Sequence, residues 1–238
     1  MILYHGTSEY AAREALKRGL RPRGETGEDN WTELGIGSNP RAIYLTDTYA
    51  CHYAINARQA GTRFRTPDGK LSKRIAVIEI ETRGLPFTNF RSDEDYMAFT
   101  DPSLQGLMTE ENIKAKIRHH ANNLGTDWKQ CLATLGTCVY LGRIHAKHIT
   151  RVAFFDPKAN DAMAWAMADG SLTPEAFKFA GKYHRSYIKW LFGEPVTTDD
   201  VISLPPATDE ESIWNEKRKY WDDVIANRDG IEIIEGGQ

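Results

Sequence analysis

Three residues near the start of the chain stand where they could do chemistry together. His5, Gly6 and Thr7 follow the apolar run Met1-Ile2-Leu3 and Tyr4. An imidazole donates, accepts or carries a proton near neutral pH. A glycine at the end of a strand is costly, and it marks a place where backbone must come close to something. A second group of side chains follows Gly35-Ile36-Gly37-Ser38: Tyr44 within Ala42-Ile43-Tyr44-Leu45-Thr46-Asp47, then Tyr49, His52 and Tyr53. Each has a plainer reading. His5 could be a satisfied polar residue at a strand end, and Gly6 a turn before a helix. Tyr44 could be a core residue of a strand, and Tyr53 the packed face of a helix.

The remaining reactive residues exclude more than they suggest. Cys51, Cys131 and Cys138 form no CxxC pair, and their odd, sparse number argues for a reducing compartment, hence a cytoplasmic protein. His119-His120 and His145-x-x-His148 lack cysteine partners at zinc spacing, and no HExxH occurs, so no metal is expected. No run of 18 apolar residues and no signal peptide is visible, so no membrane partner is expected. The net charge of −3 hides an asymmetry. Beyond Phe155 there are nine Lys and Arg against sixteen Asp and Glu, about −7, leaving about +4 for residues 1–155. Arg63, Arg65 and Lys70 with Phe64 between them could contact a nucleic acid or an acidic protein face, or form a solvated loop.

The elements that must position these residues read as follows. Residues 1–5 form a short strand that His5-Gly6-Thr7 ends. Ser8 caps a helix with Ala11, Ala12, Ala15 and Leu16 at helical spacing, stopped by Gly19. Residues 20–40 are a loop, 42–45 a second strand, and 48–58 a helix. Residues 74–81 are the clearest strand, rich in β-branched side chains. Residues 83–109 are irregular, with an acidic cluster at Asp93-Glu94-Asp95. Helices are expected over 110–122 and 126–134, and strands over 138–141 and 150–155. The character changes after Asp156-Pro157. Helices over 159–168, 174–192 and 212–225, with an acidic linker before the last, make a mainly helical tail.

The order of His5-Gly6-Thr7, a helix, a glycine-bearing loop and a strand with Tyr44 resembles the ADP-ribosyltransferase superfamily of the diphtheria-toxin and poly(ADP-ribose) polymerase type. LYHGTS and AIYLTD also look like the small bacterial transferases that modify rifamycins. The resemblance spans residues 1–155 and is sharp over 2–20 and 35–55. It implies an α+β fold, with a core of two small antiparallel or mixed sheets and flanking helices in residues 1–155, and a helical extension over 156–238. It also implies that NAD is the substrate. Backbone N–H and C=O of Gly6 would hold the nicotinamide amide, His5 would bond the adenosine ribose, and Thr7 belongs to the same motif. Tyr44 and Tyr53 would clamp the ring.

The pattern breaks at the late strand. Many family members carry a glutamate there, which steadies an oxocarbenium-like transition state. Here the strand reads Thr137-Cys138-Val139-Tyr140-Leu141, and the nearest acidic candidates are Glu110, Glu111 and Asp127. The site would read His5, Tyr44 and Thr137, or Cys138 in the third place. Ala50 stands where the polymerases often have a serine that helps bind the amide. The resemblance implies that members lacking the glutamate are mono-transferases or inactive binders; with the nicotinamide-clamping half complete, transfer of a single ADP-ribose to a protein or nucleic acid is expected, as suits a toxin, a phage effector or a resistance enzyme. The alternatives are a module of the same fold that binds NAD or ADP-ribose without transfer, an NAD-using RNA 2′-phosphotransferase, or an interaction protein whose motifs match by chance.

Overall fold

The computed structural model of the chain describes residues 1–26, 39–59, 73–94, 96–97, 119–120, 123–156, 174–201 and 211–237. The stretch Gly35-Ile36-Gly37-Ser38, the loop with Arg63, Phe64, Arg65 and Lys70, Glu110 and Glu111, most of the helix expected over 110–122, and the helix expected over 159–168 lie outside them. The fold is α+β. Its strands are β1 (Ile2–Ser8), β2 (Ala42–Thr46), β3 (Ile75–Glu81), β4 (Phe90–Arg91), β5 (Thr137–Leu141), β6 (Ile149–Phe155) and β7 (Glu232–Glu235). Its helices are α1 (Glu9–Arg18), α2 (Arg23–Thr26), α3 (Ala50–Gln59), α4 (Trp128–Leu135), α5 (Pro174–Leu191), α6 (Thr198–Val201) and α7 (Glu211–Ala226). No described helix is long and apolar enough to cross a membrane.

The strands form one seven-stranded sheet in the order β4-β5-β2-β1-β3-β6-β7, every pairing antiparallel. The expectation of two small sheets is corrected to this extent: the two groups of strands are joined, through a single register pair, Tyr4 with Thr46. β1 also runs further than expected. His5-Gly6-Thr7 lies inside it, because pairing with β3 continues unbroken to Ser8 opposite Ile75. The tail is not wholly helical, since it returns as β7 along β6.

Burial explains this layout. β3 is covered on both faces, which is why it reads as an almost continuous apolar run. Ala76, Ile78 and Ile80 face a core with Leu3, Val152, Phe154 and the inward side of α1, Ala12 and Ala15. Ile75 and Val77 face a second core with Ala153, Phe155, α3 and α5, flanked by Trp221 and Ile225 of α7. Each large side chain taken fully from water stabilises by about 1.5–3 kcal/mol. Ser8 accepts the Ala11 N–H at 3.2 Å as the cap of α1, and Gly19 ends that helix at φ +79°.

Two features fix how helices and tail meet the sheet. A Cβ on Gly6 would lie 1.9 Å from the Ala50 carbonyl oxygen and 2.7 Å from the Ala54 nitrogen, so α3 lies backbone-on-backbone against β1. Glu79 of β3 is 5% exposed, and its carboxylate takes Arg151 at 2.5 Å and Thr150 at 2.6 Å, where the β3–β6 register shifts. Arg151, itself partly exposed, also donates to the Phe192 carbonyl at 3.4 Å and lies 3.5 Å from Glu194, so its pair with Glu79 ties the tail to the core.

Gly6→Ala is therefore expected to destabilise by about 3 kcal/mol through overpacking against helix backbone, read from the midpoint of urea unfolding. Arg151→Met leaves the buried Glu79 carboxylate with Thr150 alone and is expected to cost about 3 kcal/mol in the same measurement. A loss below about 1 kcal/mol in either variant would contradict the packing described.

Candidate functional site

The phase of two ladders decides what Gly6 can do. Just outside the β1–β3 register, Thr82 N–H donates to Met1 O at 3.0 Å and Glu9 N–H to Arg74 O at 3.2 Å. Odd-numbered residues of β1 are thus the ones bonded to β3, and Tyr4, Gly6 and Ser8 turn N–H and C=O toward β2. On the other side, Asp47 N–H donates to Gly136 O at 3.1 Å and Gly142 N–H to Arg41 O at 2.9 Å. Odd-numbered residues of β2 therefore bond β5, and Ala42, Tyr44 and Thr46 turn toward β1.

Yet β1 and β2 share only the Tyr4–Thr46 pair and then part. In a continued ladder Gly6 N–H would meet Tyr44 C=O. Instead the His5 ring takes that carbonyl, with Nδ1 2.9 Å from Tyr44 O. Since a carbonyl only accepts, Nδ1 carries the proton and Nε2 keeps its lone pair. Burial holds His5 below its ordinary pKa, against the Tyr44 bond that favours the cation, so the ring is neutral at neutral pH. The result is a wedge between β1 and β2 into which Gly6 directs one donor and one acceptor. Thr7 differs: as an odd-numbered residue its backbone pairs with Ala76, and the residue is buried.

Paired residues share a face of the sheet, so Tyr44 and Gly6 present the same face, with Thr46, Val139 and Thr137. The Tyr44 hydroxyl donates to Glu94 Oε1 at 2.5 Å. Glu94, three residues beyond β4, is 2% exposed, and its Oε2 has no hydrogen-bond partner among the described residues. Burial first, and Asp93 second, push its pKa from 4.5 up to about 7, against the lowering effects of the Tyr44 bond and Arg23. The acidic cluster was visible in the sequence; its link to Tyr44 was not, because nothing in the spacing ties position 94 to 44.

Thr137 stands at a closed corner. It lies opposite Thr46, with Oγ1 3.8 Å from the Cys131 sulfur. Thr46 Oγ1 donates to Gly136 O at 2.5 Å and accepts the N–H groups of Thr48 and Tyr49 at 2.9 and 2.7 Å. Gly136, at φ +68°, could carry no Cβ, which would sit 2.6 Å from Thr48 Oγ1. Arg185 of α5 closes this corner from the tail, 3.1 Å from Asp47.

Tyr53 joins a different group. It is 37% exposed, with ring centroids 6.4 Å from Tyr49 and 5.8 Å from His52. His184 of α5 packs edge-on against Tyr49 at 4.6 Å. Burial, then the neighbouring His52, lower the His184 pKa to about 3, so it is neutral. His5, Gly6 and Tyr44 therefore meet at the wedge, Thr137 sits along the same face, and the Tyr53 ring packs with Tyr49 and His52 on α3. Among the described residues no group of three or more His, Cys, Asp or Glu could hold a metal.

No family model matches this chain, and no curated protein matches it. A solved chain titled EcPltA aligns with 65% of this chain and 77% of its own, at 14% identity and a TM-score of 0.33. A likeness that loose carries no argument about fold or function.

The Glu94 shift has a measurable sign. Its folded pKa is raised, so between about 4.5 and 7 the folded chain holds a proton that the unfolded chain releases. Its contribution is intact below 4.5 and lost as pH rises to about 7. The stability of wild type relative to Glu94→Gln is expected to fall by about 3 kcal/mol across that window, followed by urea unfolding at each pH. A pH-independent difference would place Glu94 in a less buried setting.

Proposed function

We infer that the chain is an NAD-dependent mono-ADP-ribosyltransferase with an ADP-ribosyltransferase-like core, acting on a protein or nucleic-acid acceptor. The observation that carries this reading is the wedge: Gly6 turns an N–H and a C=O into it, on the sheet face that Tyr44 shares. A nicotinamide amide needs one acceptor and one donor in fixed geometry, and an N–H and C=O of one residue meet that need. The parting of β1 and β2 beyond one register pair, within a single sheet, is what opens the wedge. The neutral His5 keeps Nε2 as an acceptor for a ribose hydroxyl, and Tyr44 offers an aromatic face to the nicotinamide.

In this reading the bond from ribose C1′ to the nicotinamide nitrogen breaks, and its electron pair leaves with nicotinamide. The acceptor nucleophile then bonds to C1′ and gives up its proton. The chain's part is to hold the amide and ribose so that positive charge develops in a site shielded from water. Gly6 and His5 bind, and Tyr44 orients the leaving ring.

A second reading is favoured by one observation: β5 carries Thr137, held against Cys131 and Thr46, where many transferases have a carboxylate. A binding module of the same fold would keep the wedge and do no chemistry. Nicotinamide release from NAD separates the two. Wild type with cell lysate is expected to release nicotinamide, and His5→Ala and Tyr44→Ala to reduce release at least about a hundredfold. Binding of NAD without release would select the module. Neither binding nor release would end both readings.

A further inference from the structure

We propose that Glu94 is a positioning residue of this site, holding the Tyr44 ring against the wedge through its bond to the tyrosine hydroxyl. The inference rests on the transferase or NAD-binding reading, and adds a residue that stands outside the motif order from which that reading came.

The geometry sets this role. Glu94 Oε1 meets the Tyr44 hydroxyl at 2.5 Å, and both belong to the face of the sheet that Gly6 presents. Tyr44 is fixed at both ends, since its carbonyl takes the His5 ring and its hydroxyl takes Glu94. An aromatic ring so held is pre-ordered for stacking, and a ligand need not supply the entropy of ordering it. Glu94 is 2% exposed and bonds the tyrosine hydroxyl, so its effect on a ligand passes through Tyr44.

The pair also responds to pH. The charged groups that bear on Glu94 are Asp93, which favours its neutral form, and Arg23, which favours its ionised form. An ionised carboxylate accepts from a hydroxyl more strongly than a neutral carboxyl does. The hold on Tyr44 therefore tightens as pH rises through about 7, while the stability contribution of the same group is lost.

The test is NAD affinity by calorimetry, with KM and kcat for nicotinamide release, in wild type, Glu94→Ala, Glu94→Gln, Tyr44→Phe and the Glu94→Ala/Tyr44→Phe double variant. Glu94→Ala is expected to weaken NAD binding about tenfold, the loss of one charge-assisted hydrogen bond, with the larger change in KM. Glu94→Gln, whose amide oxygen still accepts but carries no charge, is expected to restore the affinity that wild type shows near pH 6. It is also expected to abolish the rise in affinity that wild type shows from pH 6 to 8. The double variant is expected to be no weaker than Tyr44→Phe alone. Where Glu94→Ala does not fold, Tyr44→Phe makes the same test by removing only the hydroxyl. Unchanged affinity in Glu94→Ala or Tyr44→Phe, additive losses in the double variant, or a pH profile that persists in Glu94→Gln would overturn the proposal. Absence of NAD binding by wild type is a different result, and it would remove the reading beneath it.

Discussion

The close approach of α3 to Gly6 is the constraint on which the rest depends. A helix backbone less than 3 Å from where a Cβ would stand leaves no tolerance at position 6. That contact places the first turn of α3 beside β1, and Ala50, Cys51 and Ala54 then form the floor of the second core. α5 packs on this floor, and Arg185 reaches Asp47 at the end of β2. Gly6 therefore has two physical roles. Its missing side chain admits the helix, and its N–H and C=O, in the plane of the sheet, face the wedge. A functional loss on changing Gly6 would say little about the wedge, because the packing fails first.

The wedge has a cost that the surrounding structure must carry. A sheet gains by pairing every backbone group, and an unpaired one shielded from water costs about 1–3 kcal/mol. β2 could have continued along β1. Two side chains stop it: Thr46 spends its hydroxyl on the Gly136 carbonyl and the turn into α3, and His5 occupies the carbonyl that Gly6 would have met. Satisfying Tyr44 with an imidazole rather than with Gly6 keeps one acceptor paired and leaves the glycine pair for something else. Local frustration of this kind, backed by two well-packed cores, is what a binding site requires of a fold.

Much of this was legible in the sequence, and the exceptions have physical causes. β3 announced itself through β-branched residues, and α1 through Ser8 and Gly19, because propensity and capping act locally. The extension of β1 through Gly6 was not legible. Glycine's usual cost in a strand points to an end, and only the contact with α3, 44 residues further along at Ala50, outweighs it. β7 was missed because Glu232-Ile233-Ile234-Glu235 is short and flanked by charge. Its charge is what seats it: Glu232 lies 2.6 Å from Arg74 and 3.3 Å from Arg13. Of the candidate site, the motif order named His5, Gly6 and Tyr44, which the structure brings together. Their partner Glu94 was not, since a bond between positions 44 and 94 follows from the placement of β4 beside β5.

The tail is easier to understand from this charge pattern than as an appendage. Two of its acids are directed at arginines of the front. Glu232 meets Arg13 and Arg74, and Glu194 meets Arg151. Most of these pairs are partly exposed and individually worth little. Together with β7 they fix the direction in which α5 leaves the sheet, and α5 carries His184 to Tyr49 and Arg185 to Asp47. The corner around Thr46, Thr48 and Gly136, which turns β2 away from β1, is thus closed by a residue from the other end of the chain. The wedge is shaped by both halves of the protein, and a front half expressed alone would lack the cation that closes its corner.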